Sequence, residues 1–159
     1  MQLNQLKSAF VLNIAKFVRW PDAQLQQRGD QLNLCYYQED VLGAADDMIR
    51  GREVGGRRLQ LERIGTPEGL SACDILLLSE AGAERMIKAP LVSRTTPVLV
   101  IADMTDHKST GKVYPGVHVA LVRRGNRIGF EINLTAANQA GLKFSSRLLQ
   151  LARIVGEET

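Results

Sequence analysis

Two short apolar runs, Asp74-Ile-Leu-Leu-Leu78 and Pro97-Val-Leu-Val-Ile-Ala102, do most to limit what this chain can become. Each is unbroken and bounded by turn signals, as expected of a fully buried strand. Side chains alternate between the two faces of a sheet, so a strand that is apolar at every position has to be covered on both sides. The stretch between the runs, Ala81 to Ala89, reads as a helix and supplies the crossover that parallel neighbours need. The pair therefore predicts the middle of a mostly parallel sheet with helices on both faces.

The rest of the chain fits around that centre. From Leu3, apolar residues recur at Leu6, Phe10, Ile14 and Phe17, forming one stripe of a helix that Pro21 stops. Asp22 to Gln31 is polar and carries Gly29, after which Leu32, Leu34 and Tyr36 alternate with Asn33, Cys35 and Tyr37 as in a strand. A short helix over Val41 to Arg50, a turn marked by Gly51, Gly55 and Gly56, and a second strand over Arg58 to Ile64 follow. Beyond Ala102, Val117, Val119 and Leu121 alternate, Arg123-Arg-Gly-Asn126 makes a tight turn, and Ile128, Phe130, Ile132 and Leu134 alternate again. That is a hairpin. Thr135 to Ala140 reads as a short helix closed by Gly141, and Ser145 or Ser146 caps a final helix through Leu148, Leu151 or Ala152, and Val155. The 159 residues show no repeat and no linker, so residues 1–159 read as a single α/β domain. Its expected architecture is a mixed, mostly parallel sheet flanked by helices, with a C-terminal hairpin and helices.

Composition narrows the function classes. A net charge of +3 is too mild to make nucleic acid the presumed partner. Lys16 and Arg19 interrupt the first apolar stretch and Glu80 ends the one after Ile75, so no run reaches the ~18–20 residues of a membrane span. The chain enters its amphipathic pattern directly from Met1, so a signal peptide is either absent or has been removed and replaced. Gly111-Lys112 fails as a phosphate loop, because Asp106 stands where a glycine is required and Val113 where Ser or Thr would bind magnesium. Tyr36 to Leu42 has no glycine, which removes the dinucleotide-binding turn. No nucleophile elbow and no paired helical histidines occur, and neither a cofactor nor a metal is expected.

Several residues remain that could carry chemistry. Asp103, Asp106 and His107 follow the Pro97 to Ala102 strand at its carboxyl end, where open α/β sheets place ligands. They could line a small-molecule crevice, hold a divalent metal, act as an acid/base pair, or form a polar loop whose carboxylates cap backbone. His118, between Val117 and Val119, reads as a satisfied strand histidine. Glu131 lies between Phe130 and Ile132, which turns its carboxylate away from the apolar face, into solvent or against Arg123, Arg127 or a partner. From Arg123 to Arg153 there are six basic residues and one acid, a local excess suited to an acidic partner or anionic headgroups, or simply to a solvated helix face. Cys35 and Cys73 sit in and just before neighbouring strands, and pattern alone leaves open a bridge or two buried thiols.

Lys7-Ser-Ala-Phe-Val-Leu-Asn-Ile-Ala-Lys-Phe-Val-Arg-Trp-Pro21, Leu32-Asn-Leu-Cys35, Gly51-Arg52, Val54-Gly-Gly-Arg57, Ala72-Cys-Asp-Ile-Leu76, Phe130-Glu-Ile-Asn-Leu134 and Ser145-Ser-Arg-Leu-Leu149 together resemble the YfiR family. They span nearly the whole chain in the family's order. The resemblance implies an exported periplasmic protein, not an enzyme. Such a protein represses an inner-membrane diguanylate cyclase, the enzyme that makes cyclic di-GMP. It would do so by binding the cyclase's periplasmic sensor domain, with an outer-membrane or periplasmic antagonist releasing it. The resemblance also implies that Cys35 and Cys73 are oxidised, whereas a second, local disulfide of the family has no counterpart in a chain with two cysteines. The local charge excess makes Glu131, Arg123, Arg127, Arg147 and Arg153 the expected partner-binding set. Val11, Leu12 and Val18 widen the apolar arc of the first helix enough to support a homodimer. The alternative function is a periplasmic small-molecule-sensing module, with its crevice at Asp103, Asp106 and His107.

Overall fold

The computed structural model describes residues 2–108 and 114–155, excepting the side chains of residues 107 and 108. In chain order the elements are α1 (Leu3–Lys16), β1 (Val18–Arg19), α2 (Asp22–Arg28), β2 (Gln31–Tyr37), β3 (Glu53–Val54), β4 (Arg57–Ile64), β5 (Ile75–Leu78), α3 (Glu80–Lys88), β6 (Leu99–Lys108), β7 (Val119–Arg124), β8 (Arg127–Asn133), α4 (Leu134–Gln139), β9 (Lys143–Phe144), α5 (Ser146–Leu151) and β10 (Arg153–Val155). Short 3₁₀ turns cover Gly43–Met48 and Pro67–Ala72. The main sheet has the order β10-β8-β7-β6-β5-β2-β4-β3. Its pairs are parallel except at the β3–β4 and β7–β8 hairpins. β1 and β9 form a separate antiparallel pair.

β5 and β6 lie side by side in the middle, with Ile75 opposite Leu99 and Leu78 opposite Ala102. Their unbroken apolar runs follow from two cores. Ile75, Leu77, Leu99 and Ile101 join one core with Val11, Ile14 and Ala15 of α1, while Leu76, Leu78, Val100 and Ala102 join a second with Ala83 and Met86 of α3. Burial of this kind stabilises by roughly 1.5–3 kcal/mol for each large apolar side chain before entropy is counted. Cys35 of β2 and Cys73, just ahead of β5, are joined by a disulfide with a Cα separation of 5.9 Å, placed in the second core. The mixed, mostly parallel sheet flanked by helices and the hairpin match expectation.

Four local expectations change. The polar stretch after Pro21 is a helix, α2, without a buried residue, and polar bonds fasten it instead of an apolar stripe. Gln24 Nε2 and Arg28 Nε reach the fully buried Asp74 carboxylate at 2.7 and 2.8 Å, and Asp74 also accepts the Asn33 N–H at 2.8 Å. The helix expected over Val41 to Arg50 shrinks to the 3₁₀ turn. The final helix stops at Leu151, and the β-branched pair Ile154-Val155 belongs to β10, paired in parallel with Ile132 and Asn133. On α1, Val11 is fully buried and Leu12 nearly so, because the buried face runs through Lys7, Ser8, Val11, Ile14 and Ala15. Those two residues lie inside the protomer and are not part of a dimer surface.

Candidate functional site

The β7–β8 hairpin carries most of the charge excess, and the pleat sorts it. Leu121, Phe130 and Ile132 turn into the core under α1, where Phe10 meets Phe130 edge-on with ring centres 6.0 Å apart. Glu131 therefore points to the other face. It is not in solvent: its side chain is 3% exposed, and its carboxylate lies 3.7 Å from a guanidinium nitrogen of Arg124 and 3.8 Å from one of Arg153. Arg153 stands beside Glu131 because β10 pairs with β8 in that register. Sequence reading put this segment in a helix, and it had no means of bringing Arg124 forward over its neighbours.

The other expected arginines behave differently. Arg123 shares its side of the strand with Leu121 and is half-buried, its Nε donating to the Thr105 carbonyl at 3.0 Å. It is a fastening between β7 and β6. Arg127 and Arg147 are exposed, and no ion pair among the described residues involves either. The expected set thus divides into a buried Glu131 bracketed by Arg124 and Arg153, a structural Arg123, and two solvent-facing charges at the hairpin turn and on α5.

Where a crevice is expected, at Asp103, Asp106 and His107, Asp103 and Asp106 belong to a strand, and the segment that follows, residues 109–113, lies outside the described residues. β6 continues past Ala102 to Lys108 alongside β7, so Asp103 is a strand residue opposite Leu121. It has the same pleat direction as Leu99 and Ile101, and its carboxylate meets Lys7 Nζ of α1 at 2.6 Å. Its other oxygen accepts from the Thr105 hydroxyl at 2.6 Å. Asp106 is exposed. The His107 side chain lies outside the described residues, as do Gly111, Lys112 and Val113. Among the described residues no group of three or more His, Cys, Asp and Glu is gathered to hold a metal.

A cavity of about 330 Å³ opens at the opposite, amino end of β6 and β7, lined by Ser93, Arg94, His118, Asn133, Thr135 and Gln139 among others. His118 is 5% exposed. Its backbone N–H donates to the Val100 carbonyl, and its Nδ1 accepts the Val100 N–H, both at 3.0 Å. Burial lowers its pKa to about 4, so the ring is neutral. With Nδ1 accepting, the proton sits on Nε2. His118 is a satisfied strand histidine on one side of the ring, as its alternation predicts, and a cavity wall on the other. No spacing in the sequence foretells that Ser93 and Arg94, from the irregular segment before β6, share this wall with α4.

A mostly parallel sheet with a disulfide reaching from β2 to the approach of β5, and an antiparallel hairpin bearing charge, define a mixed α/β domain. The chain belongs to the YfiR/HmsC-like family, whose model matches residues 4–153. Among solved structures, a conserved domain protein from Vibrio cholerae O1 biovar eltor is similar at 14% identity with a TM-score of 0.51. The match covers 98% of this chain and 61% of that one, so this chain spans under two thirds of its structural relative. No curated protein matches the sequence.

Proposed function

We propose that the protein is a periplasmic regulator that represses a membrane diguanylate cyclase by binding its periplasmic sensor domain, thereby lowering cyclic di-GMP signalling. The observation that carries this reading is membership of the YfiR/HmsC-like family over residues 4–153. The Cys35–Cys73 disulfide is in keeping with an oxidising compartment, where such bridges persist. Among the described residues no helix is long and apolar enough to cross a membrane. Repression requires only that the bound form of the sensor be the inactive one, so binding alone suffices.

The contact is best sought on the hairpin and α5. Arg127 and Arg147 are exposed, and Arg124 and Arg153 are 40% and 54% exposed while bracketing Glu131. Arg127 and Arg147 hold no ion pair among the described residues and are free to meet an acidic partner, whereas drawing Arg124 and Arg153 away would leave the buried Glu131 carboxylate short of counter-charge. The deciding measurement is cyclic di-GMP in the native host with the gene deleted, and again with a periplasm-directed copy restored. A rise on deletion that the exported copy reverses is expected. An unchanged level while a cyclase with a periplasmic sensor is expressed would overturn the reading. In the same strain, Arg127→Glu with Arg147→Glu should abolish the restoring effect while leaving the melting temperature within experimental scatter. Full repression by that variant would remove these arginines from the contact.

A further inference from the structure

The cavity beside His118 has a chemistry of its own. Its volume of about 330 Å³ falls at the lower end of small-molecule sites. Its wall is lopsided in charge and in hydrogen bonding. Among the described residues no Asp or Glu lines it, whereas Arg94 does, and that side chain is exposed with no ion pair or hydrogen bond to any of them. The Val100 N–H on Nδ1 holds the His118 ring in the form that donates through Nε2. Thr135 and Gln139 add a hydroxyl and an amide. The Asn133 Oδ1 is already taken by the Ala136 N–H at 3.0 Å, which leaves the Asn133 side-chain NH2 as a further donor. Val92, Val100, Pro115 and Ala136 give the remaining wall an apolar surface.

A site rich in donors, with one unneutralised guanidinium and an apolar side, is complementary to an anion that carries a hydrophobic body. We propose that this cavity binds a compact organic carboxylate, its charge held by Arg94 and the His118 Nε2–H and its body against Val92, Val100 and Pro115. A larger cavity of about 490 Å³ lies near the end of α1, but its basic residues Lys16, Arg19 and Arg57 share the wall with the acid Asp22. There Arg19 pairs with Asp22 at 3.1 Å, and Arg57 donates to the Gly29 carbonyl at 3.0 Å. The His118 cavity has no acid among its described lining residues to answer Arg94.

The inference does not depend on the cyclase reading and is tested on the purified oxidised protein. Amide chemical shifts would be followed during titration with benzoate and isovalerate at pH 7, with benzamide and inorganic phosphate as comparison probes. At least one carboxylate should give saturable shifts at Ser93, Gly116, His118, Thr135 and Gln139, and benzamide should not. Arg94→Ala, at an exposed position, should weaken that binding at least tenfold, while Arg147→Ala should leave it unchanged. The proposal is overturned if neither carboxylate perturbs these amides, if benzamide binds as well as benzoate, if inorganic phosphate alone binds, or if Arg94→Ala binds like the parent.

Discussion

His118 does a peptide group's work with a side chain, since its Nδ1 accepts the Val100 N–H. A protonated ring cannot accept that bond, and charging it in a buried place is unfavourable, so its pKa falls to about 4 from an ordinary value near 6.5. The unfolded chain binds this proton below about pH 6.5 while the native protein resists until about pH 4. The stability it contributes is therefore complete above pH 6.5 and is lost as the pH falls through that window, by about 3 kcal/mol at most. Urea midpoints at pH 7.5 and 4.5 should move apart in the parent and much less in His118→Asn, whose amide oxygen can still accept from Val100. An equal drop in both would assign acid sensitivity to other groups. Alternation in the sequence was enough to turn Glu131 away from Phe130 and Ile132 and His118 away from Val119, although Val117, expected beside Val119, lies in the other core. It was not enough to show that Glu131 is covered, because the side chains around it come from strands whose pairing no local pattern encodes.

At the scale of elements, Asp74 shows how a helix can be anchored without an apolar stripe. Its carboxylate gathers Gln24 and Arg28 from α2 and the Asn33 N–H of β2, and its carbonyl accepts the Trp20 indole N–H at 3.0 Å. Asp74→Ala leaves a largely buried guanidinium and a strand N–H without their acceptor and should cost about 3–5 kcal/mol. Gln24→Ala removes two bonds, to the Asp74 carboxylate and the Pro97 carbonyl, at a wetter position and should cost about 1–2 kcal/mol. Chemical denaturation of the two variants checks the ranking, and a similar loss in both would deny Asp74 its central place. The same reasoning explains what was legible. α1, β2, β4, β5, α3 and the hairpin announce themselves by hydrophobic period or by unbroken apolar runs. α2 has no such period, β1, β3 and β9 are two residues long, and β10 follows a capped helical turn that looks able to continue. The far half of β6 was hidden because Asp103, Asp106 and His107 resemble a polar loop, although Asp103 is answered by Lys7 across α1.

For the molecule as a whole, the disulfide ties β2 to the approach of β5 across a sequence separation of 38 residues. Chain-entropy reasoning gives it about 4 kcal/mol of stabilisation through the unfolded state. Reductant should shift the urea midpoint downward by that order while intact mass rises by about two units. An unchanged midpoint after confirmed reduction would show that the bridge constrains little that the paired strands do not already constrain. Two cores on either side of one sheet should keep the reduced protein folded at neutral pH, since burial at Leu76, Leu78 and Val100 does not depend on the bridge.

The two margins of the main sheet carry a different consequence. One ends in β3, Glu53–Val54, and the other in β10, Arg153–Val155. A margin of two or three residues with a charged side chain offers a visiting strand few hydrogen bonds and a desolvation cost, the usual defence against edge-to-edge aggregation. Each cap is partial: β3 pairs only with Arg57 and Arg58 of β4, and β10 only with Glu131 to Asn133 of β8, so among the described residues the rest of each neighbouring strand relies on its own charges, Glu62 and Arg63 or Arg127, to discourage a visiting strand.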